Sequence, residues 1–249
     1  MKFVTFIVCF LFPVKLSFWL LNVLGHKIHS GSRIGFSFLW VSGKIVLEEG
    51  ARVGHFNFIK IDHLQIGKEG YIGKYNKITG PVDIILESTA AIGNSNKLYR
   101  APLGVTYGKA ILKLGILSKI TGNHRIDCTR SITMGNYSIL AGHNSQLWTH
   151  SYTHDKEGPG RFRVDGEIGI GNNVYIGSMS VINAGVEIAD KIVVGSNSSV
   201  SKSLLEQGTY VSQPLRFIPF DPLADPQKKY QKVEGYSICE DVYEKKSGN

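Results

Sequence analysis

Counting forward from Val164 in steps of six lands on Val164, Ile170, Ile176, Ile182, Ile188, Val194 and Val200, seven β-branched aliphatics without an exception. A helix repeats its apolar face about every 3.6 residues and a half-buried strand every second, so a strict six fits neither. It does fit a triangular coil of short strands with a turn at each corner. Each hexad then sends one aliphatic inward with a small residue after it, as at Gly171, Gly177, Ala189, Gly195 and Ser201. Turn formers such as Asn172, Asn173, Gly185, Asp190 and Asn197 fall at or near the corners. Coils of this kind stack ~4.8 Å apart, and their inward residues make a continuous ladder.

The same period runs earlier in the chain. Leu47, Val53 and Ile59 share one phase, and Ile66, Ile72, Ile78 and Ile84 follow one residue out of step. After a second slip come Ile92-Gly93, then Ile120, Ile126 and Ile132 beside Cys128, Met134 and Leu140. A solenoid absorbs such slips as bulges or corner insertions, because each coil touches only its neighbours. The pattern therefore predicts an all-β chain: an N-terminal apolar segment over 1–33, a hexapeptide-repeat parallel β-helix over 34–202, and a C-terminal cap and tail over 203–249. Two stretches, 98–118 and 151–163, break the period as loop insertions. In the first, Ala110 to Leu117 reads as a surface hairpin or helical turn. The second, SYTHDKEGPGRFR, is polar and glycine-rich, the kind of outward loop that carries chemistry.

The first 25 residues are the least polar. Phe3 to Val14 is apolar, and Leu16 to Leu24 continues it beyond Lys15. Pro13 and Lys15 at its centre argue against a spanning helix, which wants ~20 apolar residues with few or no charges. The readings left open are a helix packed on the domain, one lying on a membrane surface with Lys2, Lys15 and Lys27 toward headgroups, and a spanning or cleaved signal segment headed by Lys2.

Composition sharpens the picture in two places. Glycine is high, 28 of 249 residues, without the every-third-residue pattern of collagen. The net charge of +8 favours an anionic partner. Nucleic acid is disfavoured, since basic runs, aromatic RNA-binding signatures and helix-turn-helix signals are all missing from the sequence. Three scattered cysteines, Cys9, Cys128 and Cys239, read as free thiols in a reducing, cytoplasmic setting.

The segment Glu167 to Arg216, with IGNNVYIGSMSVINAGVEIADKIVVGSNSSVSK followed by QPLR, resembles the C-terminal coils of hexapeptide-repeat O-acetyltransferases. Galactoside, maltose and polysaccharide O-acetyltransferases share this pattern. The resemblance implies a left-handed β-helix, a homotrimer, and acetyl-CoA in a groove between subunits as co-substrate, with no metal required. It also implies a saccharide acceptor, lipid-linked if the N-terminal segment meets a membrane.

In that family a histidine before the protruding loop is the catalytic base. His150 in LWTHSYTHD matches it, and His154 competes. An alcohol is a weak nucleophile at neutral pH, and imidazole is suited to take its proton. The family's asparagine, which orients the acceptor or the base, maps to Asn123. Asp127 is an alternative partner for the imidazole, and Asn144 could line the cleft. Toward the cofactor the resemblance assigns Tyr175, Ser178, Ser196, the Ser201-Lys202 pair and Arg216. Tyr175 stands where many relatives carry Trp, and Gln213 departs from the Gly-x-Pro-x-Arg pattern around Pro214. Two other function classes stay in view: a γ-carbonic-anhydrase-like metal lyase using His124, His150 and His154, and a non-catalytic β-helix serving assembly.

Overall fold

In the computed structural model, which describes residues 14–154, 158–212, 216–219, 230–233 and 242–245, the inward aliphatic of each hexad stacks on its counterpart one coil away. Ile170 faces Met134 and Ile188, Ile176 faces Leu140 and Val194, and Ile182 faces Leu147 and Val200. Successive strands are dealt in turn to three parallel sheets of eight, ten and eight strands. The chain is thus an all-β solenoid with the fold of the left-handed parallel β-helix, and one apolar cluster runs from Phe18 and Leu21 to Tyr210.

The repeat reaches further than its sequence signature. Lys27–Ile28 already pairs with Val46 and Leu47, and Gly208–Val211 pairs with Ile192–Val194 beyond residue 202. Ala110 to Leu117 is neither a surface hairpin nor a helical turn. It contains the strand Ile111–Leu114, paired in full register with Asp83–Leu86, and Leu112 and Leu114 are buried. The insertion is therefore shorter than 98–118. Val164 also leaves the ladder. It is exposed on Arg161–Asp165, which pairs antiparallel with His150–His154 as a projecting hairpin.

Val14–Val23 forms a helix that sets Phe18 and Leu21 into the core and leaves Leu16, Trp19 and Val23 exposed. Among the described residues no helix is long and apolar enough to cross a membrane. The apolar run before Val14, with Lys2, lies outside the described residues. Residues 219–249 form a separate unit containing an antiparallel pair, Tyr230–Val233 with Val242–Lys245.

Glycine sits where coils approach most closely. A Cβ on Gly54, Gly73 or Gly93 would collide with the carbonyl oxygen of Gly73, Gly93 or Thr121 in the next coil. One corner has the opposite solution. Phe56, Tyr75, Ser95, Asn123, Asn144, Met179 and Asn197 all take left-handed φ, between 56° and 64°. Each donates its N–H to a carbonyl of the preceding coil, which offsets the ~1–2 kcal/mol cost of that conformation.

Beside this corner runs a buried polar column: Ser37, Asn57, Asn76, Asn96, His124, Ser145, Ser180 and Ser198. Every later member donates its backbone N–H to the side chain of the earlier one, at 2.8 to 3.3 Å. Backbone donors that would otherwise be orphaned inside a turn are satisfied in this way.

His124 has no room for a second proton. Its Nδ1 accepts from Ser145 N–H at 3.1 Å, so Nε2 carries the hydrogen toward Thr121 Oγ1 at 3.0 Å. Burial, and then the neighbouring His143, lower its pKa from 6.5 to about 4. An unfolded imidazole gains its proton near pH 6.5, whereas the folded one resists to about pH 4. Stability is therefore whole above pH 6.5 and falls between those limits, by roughly 2–4 kcal/mol. Denaturant midpoints measured across that range should show the slope. His124→Asn, which continues the asparagine column, should flatten it; an unchanged slope would refute the assignment.

Candidate active site

Ring-nitrogen partners set one imidazole apart from five others among the described residues. In His26, His29, His55, His63 and His124, Nδ1 accepts a backbone N–H at 3.0 to 3.1 Å, so that nitrogen is unprotonated. In His150, Nδ1 lies 2.8 Å from Asp127 Oδ2. A carboxylate only accepts, so Nδ1 carries the proton and Nε2 is left with its lone pair. That is the tautomer a general base requires.

The coil builds this pair from two consecutive turns at the corner after the third sheet. Arg125–Asp127 ends with Asp127 tucked inward, 1% exposed. Thr149 N–H at 3.1 Å and Thr149 Oγ1 at 2.7 Å also donate to Asp127 Oδ2, and Thr129 Oγ1 donates to Oδ1 at 2.9 Å. Four donors converge on this one buried carboxylate and replace its lost hydration. His150 follows Thr149 directly and opens the projecting hairpin, with its side chain 23% exposed. Trp148 and Tyr152 stand edge-on to its ring at 6.0 Å, and Tyr99 contacts Trp148 edge-on at 6.3 Å. Burial and the Asp127 charge both raise the Tyr99 pKa, so its phenol stays protonated. Arg163 pairs with Asp165 at the hairpin base and donates to Val105 carbonyl oxygen at 2.7 Å, joining the hairpin to the 101–110 loop.

The other sequence-assigned residues fall elsewhere. Asn123 and Asn144 occupy successive positions of the left-handed corner, with Asn123 Nδ2 donating to Asn144 Oδ1 at 2.6 Å. Asn123 is thus spent on a turn, and Asp127 is the group that meets the imidazole. Ser178 and Ser196 lie on the same corner as Asn123, one coil apart, each just before a left-handed residue. Ser178 Oγ occupies the space that a Cβ on Gly142 would need, and Gly142 has φ +67°. Tyr175 projects from the ten-stranded sheet and is exposed. Ser201 and Lys202 are exposed at the His150 corner, after strand Ser199–Val200. The side chains of His154 and Arg216 lie outside the described residues. Within one chain the structure joins His150 to Asp127 and leaves the Ser178–Ser196 corner apart from them.

Two further chemistries lose their residues. Burial and the adjacent Asp127 charge push the Cys128 thiol far up, so it does not serve as a thiolate nucleophile. A three-histidine metal centre would need His124, whose ring nitrogens are both committed to protein partners. Among the described residues no group of three His, Cys, Asp or Glu side chains is placed to hold a metal ion.

Fold and sequence together are similar to the hexapeptide-repeat acyltransferases, which bears out the resemblance read from the sequence. The chain is 31% identical over 140 residues to galactoside O-acetyltransferase of Escherichia coli (strain K12), spanning 54% of this chain and 66% of that protein, just under two thirds. Two solved structures share the fold: the polysialic acid O-acetyltransferase OatWY (TM-score 0.52, 18% identity, 78% of this chain and 83% of that one) and the polySia-specific acetyltransferase NeuO (0.50, 16%, 78% and 85%). No protein-family model matches the chain.

Proposed function

We propose that this chain is an acetyl-CoA-dependent O-acetyltransferase acting on a saccharide hydroxyl, with His150 as general base and Asp127 as its positioning partner. The observation that carries the reading is the 2.8 Å contact between His150 Nδ1 and the buried Asp127 carboxylate. It supports the tautomer in which Nε2 accepts, and among the described residues none bonds to Nε2. The acceptor hydroxyl gives its proton to Nε2 while its oxygen attacks the thioester carbonyl. The tetrahedral intermediate collapses, the carbon–sulfur bond breaks, and the imidazolium returns the proton to the CoA thiolate. Acetyl ester and CoA are the products, with no covalent enzyme intermediate. Likeness to a galactoside acetyltransferase supports the saccharide acceptor.

Tyr175, Ser178, Ser196, Ser201, Lys202 and Arg216 are the proposed contacts for acetyl-CoA, with the cations toward its phosphates. A homotrimer would bring the Ser178–Ser196 corner of one copy to the His150 corner of the next, and the separation of these corners within one chain supports that assembly. Exposed Leu16, Trp19 and Val23 on the N-terminal helix support peripheral contact with the cytoplasmic face of a membrane, where a lipid-linked saccharide would be met. Thiol release from acetyl-CoA, followed across a panel of saccharides, should saturate in both substrates. Release with no saccharide in the panel would overturn the proposal.

A further inference from the structure

Among the histidines with described side chains, His143 is the one whose ring nitrogens have no protein partner, and it is exposed. The others either accept a backbone N–H, as His26, His29, His55, His63 and His124 do, or face a carboxylate, as His150 does. A bulge sets His143 where it is. Ile120 and Ile126 are six residues apart, and so are Ile176 and Ile182, but Leu140 and Leu147 are seven apart. The extra residue falls in strand Ile139–His143, where Ile120 pairs with Leu140 and then Gly122 with His143. Ala141 and Gly142 together thus oppose Thr121, the two-against-one count of a β-bulge, a device that re-aims a side chain. Thr121 Oγ1, 2.6 Å from the Gly142 carbonyl oxygen, holds the bulge, and the His143 carbonyl accepts Met179 N–H at 2.9 Å. The imidazole lies over Gly122, where a Cβ would stand 3.6 Å from its Nε2.

His143 opens onto a cleft of about 360 Å³ with Tyr71, Asn94, Ser95 and Asn123 on its walls. Their hydroxyls and amides suit the hydroxyls of a pyranose, and the imidazole adds two nitrogens that can donate or accept. These wall residues belong to the coils before His143. Tyr175, Ser178 and Ser196, the proposed acetyl-CoA contacts nearest this corner, belong to the coils after it. From His143 the chain reaches His150 through the single strand Gln146–Leu147, so the two imidazoles sit on one coil at opposite edges of the third sheet.

We propose that His143 of one copy completes the acceptor site at His150 of the next, bonding to saccharide hydroxyls beside the one that reacts. The inference rests on the acetyltransferase reading and its homotrimer, and it names a residue that the neighbouring copy supplies. A threefold rotation about an axis along the solenoid leaves heights unchanged. Two corners of one coil therefore meet at one level when neighbouring copies bring them together. The cofactor then comes from the coils after His150 and the acceptor from the coils before it, with the base between them.

The test uses the full-length protein, acetyl-CoA and the saccharide that the wild type acetylates best in a panel. His143→Ala should raise the saccharide KM about tenfold, the loss of one or two hydrogen bonds, with kcat within about twofold and the acetyl-CoA KM unchanged. His143→Ala and His150→Ala chains carrying different tags, co-expressed and purified through both, then form mixed trimers. Where the imidazoles meet across copies, every mixed trimer regains one intact site, and kcat/KM should reach about a third of wild type. Where each site belongs to one copy, kcat/KM stays at about a twentieth, half the bases working at about a tenth of their efficiency. An unchanged saccharide KM, a shift in the acetyl-CoA KM in its place, tags that do not co-purify, or the lower value in the mixed trimers would overturn the shared site. Absence of wild-type transfer to every saccharide would instead remove the acetyltransferase reading beneath it.

Discussion

His150→Ala is expected to lower kcat for acetyl transfer by about 10²–10⁴-fold, the usual contribution of a positioned general base, while acetyl-CoA still binds. Asp127→Asn provides the sharper experiment. Its amide can donate to Nδ1, which drives the imidazole proton onto Nε2 and removes the base without deleting it. A loss of about 10³–10⁴-fold in kcat is expected, as wrong-tautomer variants of other histidine bases show. Stopped-flow or coupled thiol assays at saturating substrate measure both. His154→Ala should stay near wild type, since Asp127 pairs with His150. If His150→Ala keeps more than about a tenth of wild-type turnover, or His154→Ala collapses it, the assignment of the base is lost.

The largest stability effect is expected at Asn76, 1% exposed in the middle of the buried polar column. Its amide nitrogen donates to Asn57 Oδ1 at 3.0 Å and Gly93 carbonyl oxygen at 2.8 Å, and its Oδ1 accepts Asn96 N–H at 2.8 Å. Leucine has a similar volume and would look at home among the surrounding isoleucines. Yet Asn76→Leu strands the Asn96 N–H and the Gly93 carbonyl where water cannot reach. A cost of about 3–6 kcal/mol and a fall in Tm of roughly 10–20 °C are expected by calorimetry or thermal circular dichroism. Neighbouring Lys77→Ala, on the exposed face, should stay within about 0.5 kcal/mol of wild type. An Asn76→Leu variant as stable as the parent would show that the column has no energetic role.

What the sequence makes legible is what repeats in strict register. Ile170 through Val200 declare the inward ladder because each stands at the same place in an unbroken hexad, and a solenoid of aliphatic rungs follows. Val164 keeps the six-residue count by coincidence, because it belongs to a hairpin inserted between coils. Ile111–Leu114 is hidden for the opposite reason: an irregular loop before it disturbs the count, although the strand itself is regular. The asparagine column is illegible, since Asn57, Asn76, Asn96 and His124 are spaced by 19, 20 and 28 residues and change residue type. His150 draws attention through its context before the polar loop, and the fold sets it beside Asp127. Asn123 draws attention because asparagine is the expected neighbour, and the fold sets it at a left-handed corner against Asn144. Asp127 emerges only when the fold sets consecutive turns side by side, and the threonines that clamp it carry no sequence signal at all.

The polar column also makes the molecule's length a discrete quantity. Every link runs from a backbone donor to a side-chain acceptor one coil earlier, so the coils are interchangeable at that corner. Lys77 and Lys97 occupy equivalent register positions, as do Asn76 and Asn96. Removing residues 77–96 would join Asn76 to Lys97 and hand Asn76 Oδ1 to the His124 N–H that Asn96 held. The shortened chain would keep the column's links and lose one coil step, ~4.8 Å, of its length. A scaffold of this kind is a ruler graduated in coils, lengthened or shortened only by whole graduations.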